Sequence, residues 1–178
     1  KAEKDMVDWG HTISGRGFGD HWLKHGGLYL NYGGNKEVAA CNASTWPYTG
    51  WAGFNYQAYD PDEYRELCRL AAKHRIRVGS SIAGCADEVL RIWEEVNKEH
   101  PMDDLRWIAQ HAIEMEPARD YPRIKRLGVV VTTQPSGQIN RSGAMFLKQG
   151  IDPNKQLAHR DYVEADVRWS LSTDNKPY

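Results

Sequence analysis

Gly128-Val129-Val130-Val131-Thr132-Thr133-Gln134-Pro135 is the stretch whose reading decides the fold. Val129 to Thr133 are β-branched without a break, which favours extended backbone. The run shows no alternation of polar and apolar residues. A strand of that kind is expected to be buried on both faces, as strands of parallel sheets are.

Working outward, strand-like runs alternate with helical ones. Upstream lie a short helix over Pro117 to Arg126, interrupted by Pro122, and a strand over Leu105 to Gln110. Before these, a helix from about Ala86 to Lys98 turns Val89, Leu90, Trp93 and Val96 inward, and Pro101 stops it. Ile76 to Ile82 is a further strand. The helix before it starts at Asp60, with Pro61 at its first position and Glu63 completing a capping box. It runs to about His74 and gathers Tyr64, Leu67, Cys68 and Ala71 on one face. Gly27 to Tyr32 reads as the first strand. A long loop follows it, crowded with Trp46, Tyr48, Trp51, Phe54 and Tyr56. Downstream of the opening stretch the chain is less regular to about Asp166, and Val167 to Thr173 reads as the last strand. This alternation predicts βαβ units, a parallel sheet and the α/β class. Gly15-Arg16-Gly17-Phe18-Gly19 precedes a strand and lacks the GxGxxG spacing, so it reads as a loop and not as a dinucleotide site.

Composition narrows the function classes. Lys plus Arg number 23 against 24 for Asp plus Glu, so no basic surface for nucleic acid or anionic membranes is expected. No apolar run approaches the roughly 20 residues of a membrane-spanning helix, and Lys1 to Asp8 lacks a signal-peptide core. Cys41, Cys68 and Cys85 are widely spaced and odd in number, which predicts reduced thiols in a cytoplasmic protein. The sequons at Asn42 and Asn140 carry little weight without a secretory signal.

In a parallel barrel, catalytic residues lie at the C-terminal ends of strands. Those ends offer Tyr29 to Gly33, Ser80 and Ser81, Gln110 and His111, Gln134 and Pro135, and Thr173 and Asp174. A His and an Asp at two strand mouths could share a metal or a substrate. By chemistry alone, a strand-end His is more often a structural hydrogen-bonder, and an Asp after a strand is more often an N-cap. His11, His21 and His25 read as surface or packing residues. His74, His100 and His159 read as solvated.

Several blocks, in order, resemble the amidohydrolase superfamily, in the branch containing N-substituted formamide deformylase. Gly19-Asp20-His21-Trp22-Leu23 with Gly26-Gly27-Leu28 resembles that branch's GDxWL…GGxK. Pro47-Tyr48 and Asp60 to Tyr64 resemble its substrate loop and following helix. Arg77 to Ala86 stands where the family has VHAIGDxA, and Gln110-His111-Ala112 resembles EHA. Gly128 to Pro135 resembles LGVxxxxQP, and Ser172-Thr173-Asp174 up to Pro177 resembles GSDxP. The resemblance spans about residues 18 to 178.

It implies a (β/α)8 TIM barrel holding one or two divalent metals, usually zinc, whose bound water is activated for hydrolysis. Carried over by position, His111 and Asp174 become metal ligands and catalytic groups, with Asp174 as general base. Tyr29, Tyr48 and Gln134 become substrate contacts. The aromatic loop itself, with Trp51, reads either as packing over the barrel mouth or as a ring-stacking substrate pocket. Tyr29 stands at the carboxylated-lysine position, Ser80 at that of the other late His, and Gly84 at that of an acidic residue. The first His pair would precede residue 1. The implied activity is metal-dependent hydrolysis of an amide-like C–N bond in a small molecule. Alternatives are a lyase, decarboxylase or isomerase on the same scaffold, or a non-catalytic degenerate barrel subunit. Such a barrel typically needs ~250 residues. Residues 1–178 are therefore expected to be the C-terminal portion of the domain, about five βα units. The remainder would come from the same or another chain, in a homo- or hetero-oligomer.

Overall fold

The computed structural model describes residues 1–13, 18–32, 58–82, 85–112, 115–135, 147–148, 150 and 158–172. A helix, α1 (Ala2–Ile13), comes first, where the charged composition of the opening residues gave no helix. Its Glu3 bonds Lys73 Nζ at 2.6 Å, which ties it to the following layer. Two short strands, β1 (Phe18–Gly19) and β2 (Lys24–His25), pair antiparallel.

The main sheet has five strands in chain order, and every pairing in it is parallel. They are β3 (Leu28–Tyr29), β6 (Val78–Ser81), β7 (Ile108–Gln110), β8 (Val130–Thr133) and β9 (Trp169–Leu171). Between β3 and β6 lie β4 (Asn31–Tyr32) and β5 (Ala58–Tyr59), which form a separate parallel pair. The expected strand over Gly27 to Tyr32 is thus two strands. Beyond Tyr29 the backbone leaves β6, because Tyr32 is drawn over the helices. Its hydroxyl donates to Glu88 at 2.9 Å and its ring meets Tyr64 edge-on at 5.1 Å.

The strands are followed by the helices α2 (Pro61–Lys73), α3 (Ala86–Glu99), α4 (Pro117–Arg126) and α5 (His159–Glu164). Asp60 caps α2, accepting from Asp62 N at 3.0 Å and Glu63 N at 2.9 Å, which contributes about 1 kcal/mol. Pro122 lies inside α4 without ending it. Both Pro122 and Ala118, the carbonyl that loses its partner, are exposed to water. Arg123 fixes α4 to α3 through Asp87 at 2.6 Å and Glu94 at 2.9 Å. The helix α5 falls inside the stretch that reads as less regular in sequence. Its hydroxyl-bearing Tyr162 donates to the Ala112 carbonyl at 3.2 Å, under the sheet.

The register separates the two faces of the sheet. Val78, Ser80, Ala109, Val131 and Thr133 share the helix-covered face and are buried. Tyr29, Gly79, Ser81, Ile108, Gln110, Val130, Thr132 and Ser170 share the other face. There Val130 and Thr132 are only half-buried, so β8 is not buried on both sides as its composition suggests. The core lies between sheet and helices, around Trp93, Trp107, Tyr64 and Ile124. Trp93 and Trp107 meet edge-on at 5.4 Å, and each indole N–H is satisfied, by Tyr64 Oη at 3.0 Å and the Ile76 carbonyl at 3.1 Å. Two expected strands are shorter than their sequence runs. Arg106 (φ 52°) and Asp166 (φ 53°) take left-handed backbone, so pairing begins only at Ile108 and Trp169. Among the described residues, no helix is long and apolar enough to cross a membrane.

Gly128 turns the chain from α4 into β8 at φ 64°, and a Cβ there would lie 1.8 Å from the Asp103 carbonyl oxygen. Gly128→Ala combines a left-handed backbone with a backbone clash. We predict a loss of at least about 2 kcal/mol in urea unfolding. An unchanged midpoint would show that this turn is not constrained as described.

Candidate functional site

Because all five strands run the same way, their C-terminal ends form one rim. The rim carries Tyr29 from β3, Ser81 from β6, Gln110 and His111 from β7, and Gln134 after β8. Of the residues singled out in the sequence, Tyr29, His111 and Gln134 therefore share this rim. Tyr48, Trp51 and Asp174 lie outside the described residues, as does Gly84.

Each rim residue is placed by a local feature. Tyr29 ends β3, where Leu30 N bonds the Gly79 carbonyl at 2.9 Å. Its ring is half-exposed, and its hydroxyl lies beside the Ser81 backbone and hydroxyl. Burial pushes the phenol above its ordinary value, with the nearby Cys85 adding to the shift, so the group stays protonated and can donate. Gln110 follows on β7, and its carbonyl accepts from Ile82 N at 2.9 Å. His111 takes left-handed backbone at φ 52°, uncommon for a residue with a side chain. That kink ends β7, and Ala112 N then reaches the Thr132 carbonyl at 3.4 Å. Gln134 is 7 % exposed, and its side-chain Oε1 has no hydrogen-bond partner, an unusual state for a buried carbonyl.

Ser80 is placed differently. By register it shares the helix-covered face with Ala109 and Val131, fully buried beside the Tyr64 hydroxyl. A residue there cannot reach ligand on the opposite face. The neighbouring Cys85 is buried as well, and burial pushes its thiol up to about 12. Glu88 is already engaged by Tyr32. Among the described residues, no three His, Cys, Asp or Glu side chains converge as a metal site requires. The described part of the rim does not fit a two-metal centre.

The reading of His159 as solvated is corrected. It lies half-buried at the start of α5, its Nε2 2.8 Å from Thr133 Oγ1 and its ring stacked on Trp169 at 5.0 Å and 13°. Sequence alone did not signal this contact, because the three residues come from separate elements. The roles of Ser81 and Gln110 were recoverable, since the two-residue period of a strand sets them beside Gly79 and Tyr29 on one face.

No family model matches the chain, and no curated protein matches it. Two solved structures resemble part of it. One is a doubly substituted variant of triazine hydrolase, and the other is triazine hydrolase from Arthobacter aurescens modified for expression in E. coli. Each shows 15 % identity and a TM-score of 0.42, over 66 % of this chain and 24 % of its own length. The chain thus spans about a quarter of the length of the structures it matches.

Burial lowers the His159 pKa below its ordinary value. A depressed imidazole stabilises the fold above the unfolded pKa of about 6.5. That stability is lost as pH falls through the folded value. We predict that urea midpoints followed by tryptophan fluorescence fall between about pH 7 and about pH 5, and that His159→Gln flattens this slope. Equal slopes in both proteins would exclude His159 as the titrating group.

Proposed function

We propose that this chain forms one wall of a (β/α)8 barrel hydrolase that cleaves an amide-like C–N bond in a small molecule. The observation that carries this reading is the gathering of Tyr29, Ser81, Gln110, His111 and Gln134 at one rim of an all-parallel sheet. Enzymes on parallel barrels use that rim. The sequence blocks that resemble the amidohydrolases support the choice of reaction.

The chemistry uses this chain's own side chains. Water attacks the carbonyl carbon, a C–O bond forms, and the C–N bond breaks. Asp174 takes the proton from the attacking water and returns it to the departing nitrogen. His111 steadies the oxygen that gains charge. Tyr29 and Gln134 contact the substrate, with Tyr48 and Trp51 as its apolar wall. A divalent ion, zinc in the family resembled, would draw on His111 and Asp174, and Tyr29 at the carboxylated-lysine position with Ser80 on the far face favours one ion over two. The missing ligands and strands would come from residues beyond this stretch or from another chain. We place the protein in the cytoplasm, acting without nucleic acid or membrane.

One observation favours a second reading. Tyr29 remains a protonated donor in the place of a metal-bridging lysine. A phenol so placed suits a general acid, as a lyase, decarboxylase or isomerase on the same scaffold would need.

For hydrolysis, Asp174→Asn should reduce turnover of an anilide at least about 100-fold and leave the unfolding midpoint unchanged. Wild-type turnover in that variant would exclude Asp174 as the base. Elemental analysis of the purified protein should find at most one equivalent of divalent metal. Two equivalents would overturn the single-site reading.

A further inference from the structure

We infer that Tyr162, on the core side of the sheet, is a positioning residue for His111: its hydroxyl holds the chain that leaves His111 and so fixes where the imidazole stands on the rim. This rests on the reading of His111 as part of a hydrolytic site and adds a residue to that site.

His111 is the point of the rim that needs support. Its backbone is left-handed at φ 52°. A residue with a side chain keeps that conformation only where the surrounding structure holds it. Upstream, β7 supplies the hold, since Gln110 pairs with Ser81 and its carbonyl accepts from Ile82 N at 2.9 Å. Downstream the sheet supplies little. Ala112 N reaches the Thr132 carbonyl only at 3.4 Å, longer than an ordinary N–H···O bond.

Tyr162 makes up for that weakness. From α5 its hydroxyl donates to the Ala112 carbonyl at 3.2 Å and lies 3.9 Å from Met115 Sδ, a weaker acceptor. Both contacts fall on the segment that leaves His111. Tyr162 is 1 % exposed. Burial, with Tyr121 and Asp161 adding to the shift, pushes the phenol above its ordinary value, so the hydroxyl remains a donor. The ring is confined by Tyr121 at 5.3 Å and Trp169 at 6.3 Å. The Tyr162 carbonyl accepts from Val167 N at 2.8 Å. A donor fixed in this way sets the direction of the Ala112 carbonyl, and with it the backbone turn at His111. The same helix reaches the end of β8 through His159 and Thr133, so α5 braces two neighbouring strand ends.

Tyr162→Phe tests this, because it keeps the ring and removes the bond. Circular dichroism checks its fold. With histidine labelled in the ring, the His111 resonance, assigned by its loss in His111→Ala, should shift in Tyr162→Phe while those of His74 and His100 stay in place. Urea unfolding gives a second reading. With Tyr162 present, His111→Gly should be more stable than His111→Ala, because glycine takes left-handed backbone freely. In the Tyr162→Phe background that difference should fall to about half or less. A Tyr162 that served only core packing would lower all midpoints alike and leave the difference intact. If the chain hydrolyses an anilide, Tyr162→Phe should lower kcat about tenfold and leave KM within about twofold. An unmoved His111 resonance, or an equal difference between glycine and alanine in both backgrounds, would overturn the inference. So would loss of folding in Tyr162→Phe, which would show that the hydroxyl holds the core at large. A shifted resonance and a reduced difference without anilide turnover would keep the assignment and sink the hydrolase reading. Turnover unaffected by Tyr162→Phe would do the reverse.

Discussion

The parallel register that sets Val131 beside Ala109 and Trp169 is the constraint on which the other features depend. Side chains alternate across a strand, so fixing one pair fixes the face of every residue in the sheet. With Val131 inward, Val78, Ser80, Ala109 and Thr133 follow it under the helices, and Tyr29, Gly79, Gln110 and Thr132 are left on the other side. A slip of one residue in β7 would bury Gln110 and bring Ala109 into the open. The helix layer enforces the choice. Trp93 and Trp107 fill the space beneath the sheet, and both indoles find acceptors in this arrangement.

This division explains why the family resemblance transfers only in part. At the first strand, Tyr29 occupies the expected face but brings a phenol in place of an amine. At the second, Ser80 is on the far side of the sheet, and the residue that reaches the open face is Ser81. At the third, His111 stands at the rim, held by a left-handed turn. The described rim is thus rich in neutral hydrogen-bonding groups and poor in metal ligands.

Much of the fold was legible in the sequence because it rests on local signals. The β-branched run at Val129 to Thr133, the Asp60-Pro61 helix start and the inward stripe of Val89, Leu90, Trp93 and Val96 each specify an element by themselves. The α/β class and the common rim of strand ends followed. What sequence did not reveal depends on partners far away in the chain. Tyr32 splits the first strand because Glu88 and Tyr64 hold it. His159 leaves solvent because Trp169 and Thr133 enclose it. The orientation of Ser80 required the register, which no motif reports. The helix α1 eluded composition because its charged residues are paired along its surface, as in Lys4 with Asp8 at 2.5 Å and Glu3 with Lys73.

The central claim is that the sheet has one helix-covered face and one open face ending in the candidate rim. Thiol reactivity of single-cysteine substitutions tests it most directly, at Ile108, Ala109, Val130 and Val131, read over the background of the native thiols. In residues 1–178 on their own, without the rest of a barrel, the account predicts rapid labelling at 108 and 130 and protection at 109 and 131. Protection of 108 and 130 together with labelling of 109 and 131 would contradict it, and with it the site built on that face.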